Sequence, residues 1–255
     1  MERFVVKNKM GENFRYLTGI VLLLVAFTFI LVQQTSADPV GVGVDSNTTV
    51  TGSWSPASRA DDGGTFTTMV LSVTQQNYAW KAYIGNITAT LTLDDSNGKT
   101  IYDWSLNQAS LSGELYASRS GSLLWTGLEC ANGTTISSEE SAVNINSGDT
   151  DSINNTFNYT KHPTLVVAGT TITNSTCRAL YTYYNGSVQS NNESSYFPEI
   201  IVQNTGGDMI YVTELEQDST SYVNDSITYD FQMLVPDDDT ASQITTYYFY
   251  AEINS

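Results

Sequence analysis

The sequence has very little positive charge. Ten Lys and Arg residues stand against 27 Asp and Glu residues, so the full chain has a net charge of −17. The first 37 residues carry +2, and the remainder therefore carries −19. A surface this acidic repels phosphate groups, which argues against nucleic acid and anionic lipid as partners. The cations after residue 37 are Arg59, Lys81, Lys99, Arg119, Lys161 and Arg178.

Motifs for catalysis are also missing. His162 is the one histidine and precedes Pro163, and the chain contains no CxxC, GxSxG or HExxH motif. We therefore expect a protein that is not an enzyme and that uses no cofactor. Glycoside cleavage needs only two carboxylates at a suitable separation, so a secreted hydrolase stays open as a third interpretation.

No apolar run reaches the roughly 18 residues that a membrane-spanning helix usually needs. The run Ile20–Val32 follows four basic residues between Arg3 and Arg15, and small residues end at Ala37. This order is typical of a secretory signal peptide cleaved after Ala37, with an uncleaved anchor as the alternative. We predict an extracellular or cell-surface protein, with membrane contact only through this segment if it is uncleaved.

The chain has only two cysteines, and both follow the predicted signal segment. An even pair in an exported chain favours a disulfide between Cys130 and Cys177 over two free thiols. Nine Asn-x-Ser/Thr sequons predict glycosylation, and most of them cluster in a polar, turn-rich stretch. The nine asparagines are Asn47, Asn86, Asn132, Asn154, Asn158, Asn174, Asn185, Asn192 and Asn224.

Apolar residues recur at period two rather than at 3.6, which predicts strands. A hairpin is predicted where the run 87–93 and the run 101–104 flank Asp94–Gly98, because Asn97-Gly98 suits a tight turn. Short strands at this spacing predict an all-β fold, a β-sandwich of Ig-like or jelly-roll-like type. Further predicted strands are Thr67–Val73, Trp80–Ile84, Leu111–Ala117, Thr164–Ala168, Ala179–Tyr184, Glu199–Val202, Met209–Leu215, Thr228–Val235 and Thr245–Ile253.

The residues after the signal segment alternate valine with glycine. Val40, Val42 and Val44 would form one apolar edge, with Gly41 and Gly43 between them. An apolar terminal strand can belong to its own sheet. It can also leave its subunit and complete a neighbour's sheet, which would give these valines a role in assembly.

Acidic and aromatic residues each allow two interpretations. Carboxylates in neighbouring loops can bind Ca²⁺, but no EF-hand spacing is present, and solvated turns are favoured. Aromatic side chains can form platforms for sugars, or they can fill the core, as is expected for Trp80, Trp104 and Tyr247. The acidic groups are Asp61-Asp62, Asp94-Asp95, Asp149 with Asp151, and Asp237-Asp238-Asp239.

The signal segment, the Val40–Val44 start, the sequon-rich middle and the ending 246–250 together resemble secreted archaeal surface proteins. Among these, the chain resembles glycosylated subunits of donor-strand filaments, such as threads and bundling pili. The resemblance implies a structural subunit of a filament or surface layer, which associates with itself or with other surface proteins. The alternative is a glycan-binding adhesion module.

The domain organisation follows from these segments. Residues 1–37 are predicted to be the signal peptide or anchor, and residues 38–60 an extended N-terminal segment. Residues 61–255 are predicted to form the sandwich, with a polar insertion near 131–163.

Overall fold

The computed structural model describes residues 38–52, 58–107, 110–224, 226–238 and 244–254. The predicted signal segment, Trp54 and Asp239 lie outside these residues. The described strands are β1 (Val40–Gly41), β2 (Trp80–Gly85), β3 (Thr90–Asp94), β4 (Thr100–Ser105), β5 (Ser112–Ser118), β6 (Glu129–Cys130), β7 (Leu165–Val167), β8 (Thr170–Ile172), β9 (Ala179–Tyr181), β10 (Pro198–Gln203), β11 (Met209–Glu214), β12 (Ser219–Thr220), β13 (Thr228–Tyr229), β14 (Phe231–Pro236) and β15 (Tyr248–Asn254). Two helices, α1 (Gly133–Ala142) and α2 (Ile153–Thr156), follow β6.

A seven-stranded antiparallel sheet forms the centre of the fold. Its order is β1-β15-β5-β11-β10, and both β6 and β9 pair with β10. Because β6 meets Val202 while β9 meets Pro198 to Ile200, these two short strands share one edge of β10. Four further antiparallel pairs stand outside this sheet in the described chain, namely β2–β14, β3–β4, β7–β8 and β12–β13.

Both faces of the central sheet are covered. On the first face, Leu115 and Tyr211 pack with Met233 of β14 and with Ile136 of α1 in one hydrophobic cluster. On the second face, Tyr116, Ile200 and Val212 pack with Leu165 and Ile172 of the β7–β8 pair. Strands β10 and β11 are consequently buried almost throughout, and each has an apolar run, IIV in β10 and MIYV in β11.

The predicted polar insertion contains both helices. The Asn132 side chain accepts hydrogen bonds from the backbone N–H groups of Thr134 and Thr135, which caps α1. Ile136 and Phe157, from this part of the chain, are buried in the first cluster. The segment therefore contributes side chains to the core as well as to the surface.

The predicted all-β, sandwich-like class is confirmed, since strands dominate and the two described helices are short. The predicted 87–93 and 101–104 hairpin is present as β3–β4. The predicted strand Thr67–Val73 is wrong, because residues 65–77, all of them described, form no helix or strand. Trp104 is also not a core residue, since it is 48% exposed. None of the described helices is long and apolar enough to cross a membrane.

Candidate functional site

The N-terminal segment lies at the edge of its own sheet. Val40 pairs with Ala251 and Gly41 with Tyr250, and the backbone N–H of Val42 donates to Phe249 O at 3.1 Å. Val42 is partly buried against the first cluster, whereas Val40 and Val44 are 67% and 69% exposed. Among the three valines, the structure therefore packs Val42 in the apolar cluster and leaves the other two largely in solvent.

This strand is short for the edge that it occupies. β1 has two residues, while β15 has seven. Between Val42 and β2, the described residues 43–52 and 58–78 are all exposed and form no helix or strand. An added Cβ at Gly41 or Gly43 would meet nothing within 4 Å, so the folded monomer does not require glycine at either position.

The β3–β4 hairpin presents an apolar face to solvent. Leu91 lies opposite Trp104 and Leu93 opposite Tyr102, and directly opposed residues share a face of the pair. The Tyr102 and Trp104 rings meet edge to face with centroids 5.0 Å apart. Every residue of both strands is exposed.

The turn of this hairpin explains why it forms. The Asp95 carboxylate accepts hydrogen bonds from the backbone N–H groups of Asn97 and Lys99, both at 2.8 Å. Gly98 has a φ of +70°, a conformation that glycine adopts without steric cost. The hydrogen bonds that close the turn are thus local to residues 95–99.

A second exposed apolar stretch precedes β2. Phe66 and Val70 are 95% and 99% exposed, and Met69, Leu71 and Val73 are also exposed. Such side chains are normally buried, and a contiguous exposed apolar patch marks an interaction surface.

A disulfide joins Cys130 and Cys177, as predicted, across 47 residues of sequence. It links the end of β6 to the residues just before β9, so it connects the two short strands beside β10. His162 supports the same region, since its Nε2 accepts hydrogen bonds from the backbone N–H groups of Thr176 and Cys177 at 3.0 and 2.9 Å. Burial lowers the pKa of His162, which favours the neutral ring that accepts these bonds.

The sequons lie where attached glycans would meet solvent. Asn154 is partly buried, and the other eight asparagines are exposed. Asn132 caps α1 through its Oδ1 atom, while a glycan would be attached to the side-chain nitrogen. Helix capping and glycosylation are therefore compatible at this residue.

The structure places three glutamates side by side on neighbouring strands. Glu114 of β5 lies opposite Glu252 of β15 on one side and opposite Glu214 of β11 on the other. Burial and the charge of Glu252 raise the pKa of Glu114 to about 8, and burial raises that of Glu214 to about 7. Sequence reasoning missed this row, because the alignment of the three strands depends on long-range pairing.

The β7–β8 connection covers this row. The Ala168 backbone N–H donates to Glu252 Oε2 at 2.9 Å, and the Tyr116 hydroxyl donates to the same oxygen at 3.0 Å. Glu114 Oε2 is buried without a hydrogen-bond partner. A proton on Glu114 removes the cost of a buried charge, which is why a neutral carboxyl is favoured there.

An open surface cavity of about 370 Å³ lies in the segment 184–196. The rings of Tyr184 and Tyr196 stack beside it, with centroids 4.1 Å apart and planes within 5°. The Gln189 side chain donates to Tyr196 O and accepts from Tyr196 N, which fixes this loop. Asn185 and Asn192, two of the sequon asparagines, also line the cavity.

The described residues bring together no group of three or more His, Cys, Asp or Glu side chains able to hold a metal ion. Several described aspartates of the predicted acidic loops instead contact neighbouring groups of the chain. Asp237, for example, lies 3.3 Å from Lys81 Nζ and accepts from Thr245 N. Likewise, the Asp151 carboxylate accepts from the Asn77 side chain.

No family model matches this chain, and neither the curated proteins nor the solved structures contain a match to it.

Proposed function

We propose that the protein is a non-enzymatic, extracellular structural subunit of a pilus-like filament or surface layer, assembled by strand exchange. The observation that carries the proposal is the attachment of β1, a two-residue strand on a seven-residue edge. If β1 left this edge, the backbone of β15 and the apolar surface against which Val42 packs would become exposed. The β1 of a neighbouring subunit supplies the same groups.

The long connection supports exchange. Residues 42–79 separate β1 from β2, and the described residues 43–52 and 58–78 of this connection are exposed and without regular structure. A strand on such a connection can move to another protomer at little cost in free energy. It makes the same contacts in the neighbouring subunit as it makes in its own. Head-to-tail exchange propagates into a fibre when the rotation between subunits does not close.

An extracellular location is supported by three features of the chain. They are the signal-like first 37 residues, the disulfide, and nine sequons without a fully buried asparagine. Disulfides persist in oxidising compartments, and the low positive charge suits a soluble surface outside the cell.

Deleting residues 38–44 tests the proposal. The shortened protein should be folded and soluble and should form no strand-exchanged filament in negative-stain microscopy, because the exchanged strand is gone. The matched control deletes residues 45–51, also seven residues, which are exposed and outside β1. The control should still polymerise. The proposal fails if the 38–44 deletion unfolds the protein while the intact chain shows no polymer at any concentration.

A glycan-binding module is the second candidate, and the stacked Tyr184 and Tyr196 beside an amide-lined cavity favour it. Aromatic faces stack on sugar rings, and Gln and Asn side chains bond to hydroxyls. A sugar array would reveal such binding, with Tyr184→Ala and Tyr196→Ala abolishing the signal and Tyr159→Ala, at another exposed tyrosine, as the control.

A further inference from the structure

We propose that the β3–β4 hairpin binds residues 67–73 of a second copy of this chain at an outer backbone edge, as an added strand that extends its apolar face. The inference deepens the proposed function, because it names a self-association surface for a structural subunit. It does not involve β1 or the β15 edge, so the two contacts can be tested separately.

The hairpin has the properties of an acceptor. A two-stranded hairpin is marginally stable in water unless its apolar face is packed. Here Leu91, Leu93, Tyr102 and Trp104 form that face and are all exposed. Strands β3 and β4 pair only with each other among the described strands, so each has an outer backbone edge at which a further strand can add.

Residues 67–73 have the properties of a donor. At period two, Met69, Leu71 and Val73 fall on one side of an extended chain, and all three are exposed. The seven-residue length is close to that of β3, with five residues, and β4, with six. The sequence is typical of a strand, yet no strand pairs with it in the described chain.

The uncharged composition of residues 63–80 suits a second copy as the occupant. Residues 63–80 contain no charged side chain, although the full chain has a net charge of −17. Contact between acidic surfaces of two copies brings like charges together, whereas this uncharged segment meets the apolar residues of the hairpin without that cost. Each copy carries one donor and one acceptor, which makes the contact head to tail.

Sedimentation of the full chain across a concentration range tests the inference. Leu71→Lys places a charge on the donor and Leu93→Lys on the acceptor, and each should weaken association at least tenfold. An equimolar mixture of the two variants should regain pairs, because one copy keeps an intact donor and the other an intact acceptor. Ser72→Lys and Thr92→Lys add the same charge on the opposite faces and should leave association unchanged.

Several outcomes would overturn the inference. They are a chain that stays monomeric at all concentrations, controls that weaken association as much as the test variants, or a mixture that regains no pairs. Binding of a polysaccharide by the monomer through Leu93 would assign the face to a sugar instead. If deleting residues 38–44 abolishes association and Leu71→Lys has no effect, this inference fails while strand exchange stands.

Discussion

At the scale of single residues, the least expected feature is the row of glutamates on the second face of the sheet. Glu114 is 5% exposed, and its Oε2 has no hydrogen-bond partner. It also faces Glu252 and Glu214 on both neighbouring strands. A carboxyl in this setting is more stable as the neutral acid, so the stability of the fold should depend on pH through this residue.

Glu114 should make the protein less stable as the pH rises. Its pKa is about 8 in the folded state, against an ordinary value of 4.5, so folded protein keeps a proton that unfolded protein has released. The free energy of unfolding should therefore fall between about pH 4.5 and pH 8, by up to about 1.4 kcal/mol per pH unit.

Replacing Glu114 with Gln should make this part of the profile less steep, since the amide cannot ionise, while Glu214 with its raised pKa still contributes to the slope. Urea unfolding at pH 5 and pH 8 measures the difference. Asp103→Asn removes one carboxylate at an exposed position and should leave the native slope in place. A Glu114→Gln profile parallel to the native profile would show that this carboxyl does not control the pH dependence.

At the scale of elements, prediction succeeded where local chemistry determines structure. The β3–β4 hairpin follows from Asp95 and Gly98 in its turn, which act within a few residues. Residues 67–73 have the same strand-like composition but lack such a turn, so composition alone predicted a strand wrongly. The Glu114 row and the side-by-side placement of β6 and β9 depend on long-range pairing, which spacing along the chain does not reveal.

The disulfide should stabilise β6 and β9 as a unit. Each of these strands is short, with two and three residues, and they pair with the same edge of β10. Replacing both Cys130 and Cys177 with Ala should lower the free energy of unfolding by roughly 4 kcal/mol in the chain-entropy model. Denaturant unfolding of the oxidised, reduced and variant proteins measures the effect.

Hydrogen exchange should locate this change. Amides of β9 should lose protection from exchange in the variant. The loss should be larger in β9 than in the central strand β11. The reduced native protein is the control, since it lacks the bond but keeps both side chains. Equal stability of the three forms would mean that pairing with β10 and the hydrogen bonds of His162 suffice to hold the two strands.

At the scale of the whole molecule, the well-packed central sheet contrasts with the exposed apolar residues of the β3–β4 hairpin and of residues 67–73. The central sheet is covered on both faces, and its strands β10 and β11 are buried. In the proposed assembly, the sheet edge at β15, the β3–β4 hairpin and residues 67–73 would contact other subunits. The sequence predicted both alternatives for Val40–Val44, and the structure adds that this segment has a place on its own sheet.

The most direct measurement of strand exchange uses a cysteine pair at β1 and β15. Val40 and Ala251 are direct partners, and opposed residues of an antiparallel pair are close enough for a disulfide. The chain carrying Val40→Cys and Ala251→Cys is assembled, oxidised and run on a denaturing gel without reductant. Exchange predicts a ladder of covalent multimers, because each new bond joins two subunits. The contradicting result is a single monomer band in which the new disulfide has formed, obtained from material that microscopy shows to be polymeric. The bond would then lie within one subunit, and strand exchange would be wrong.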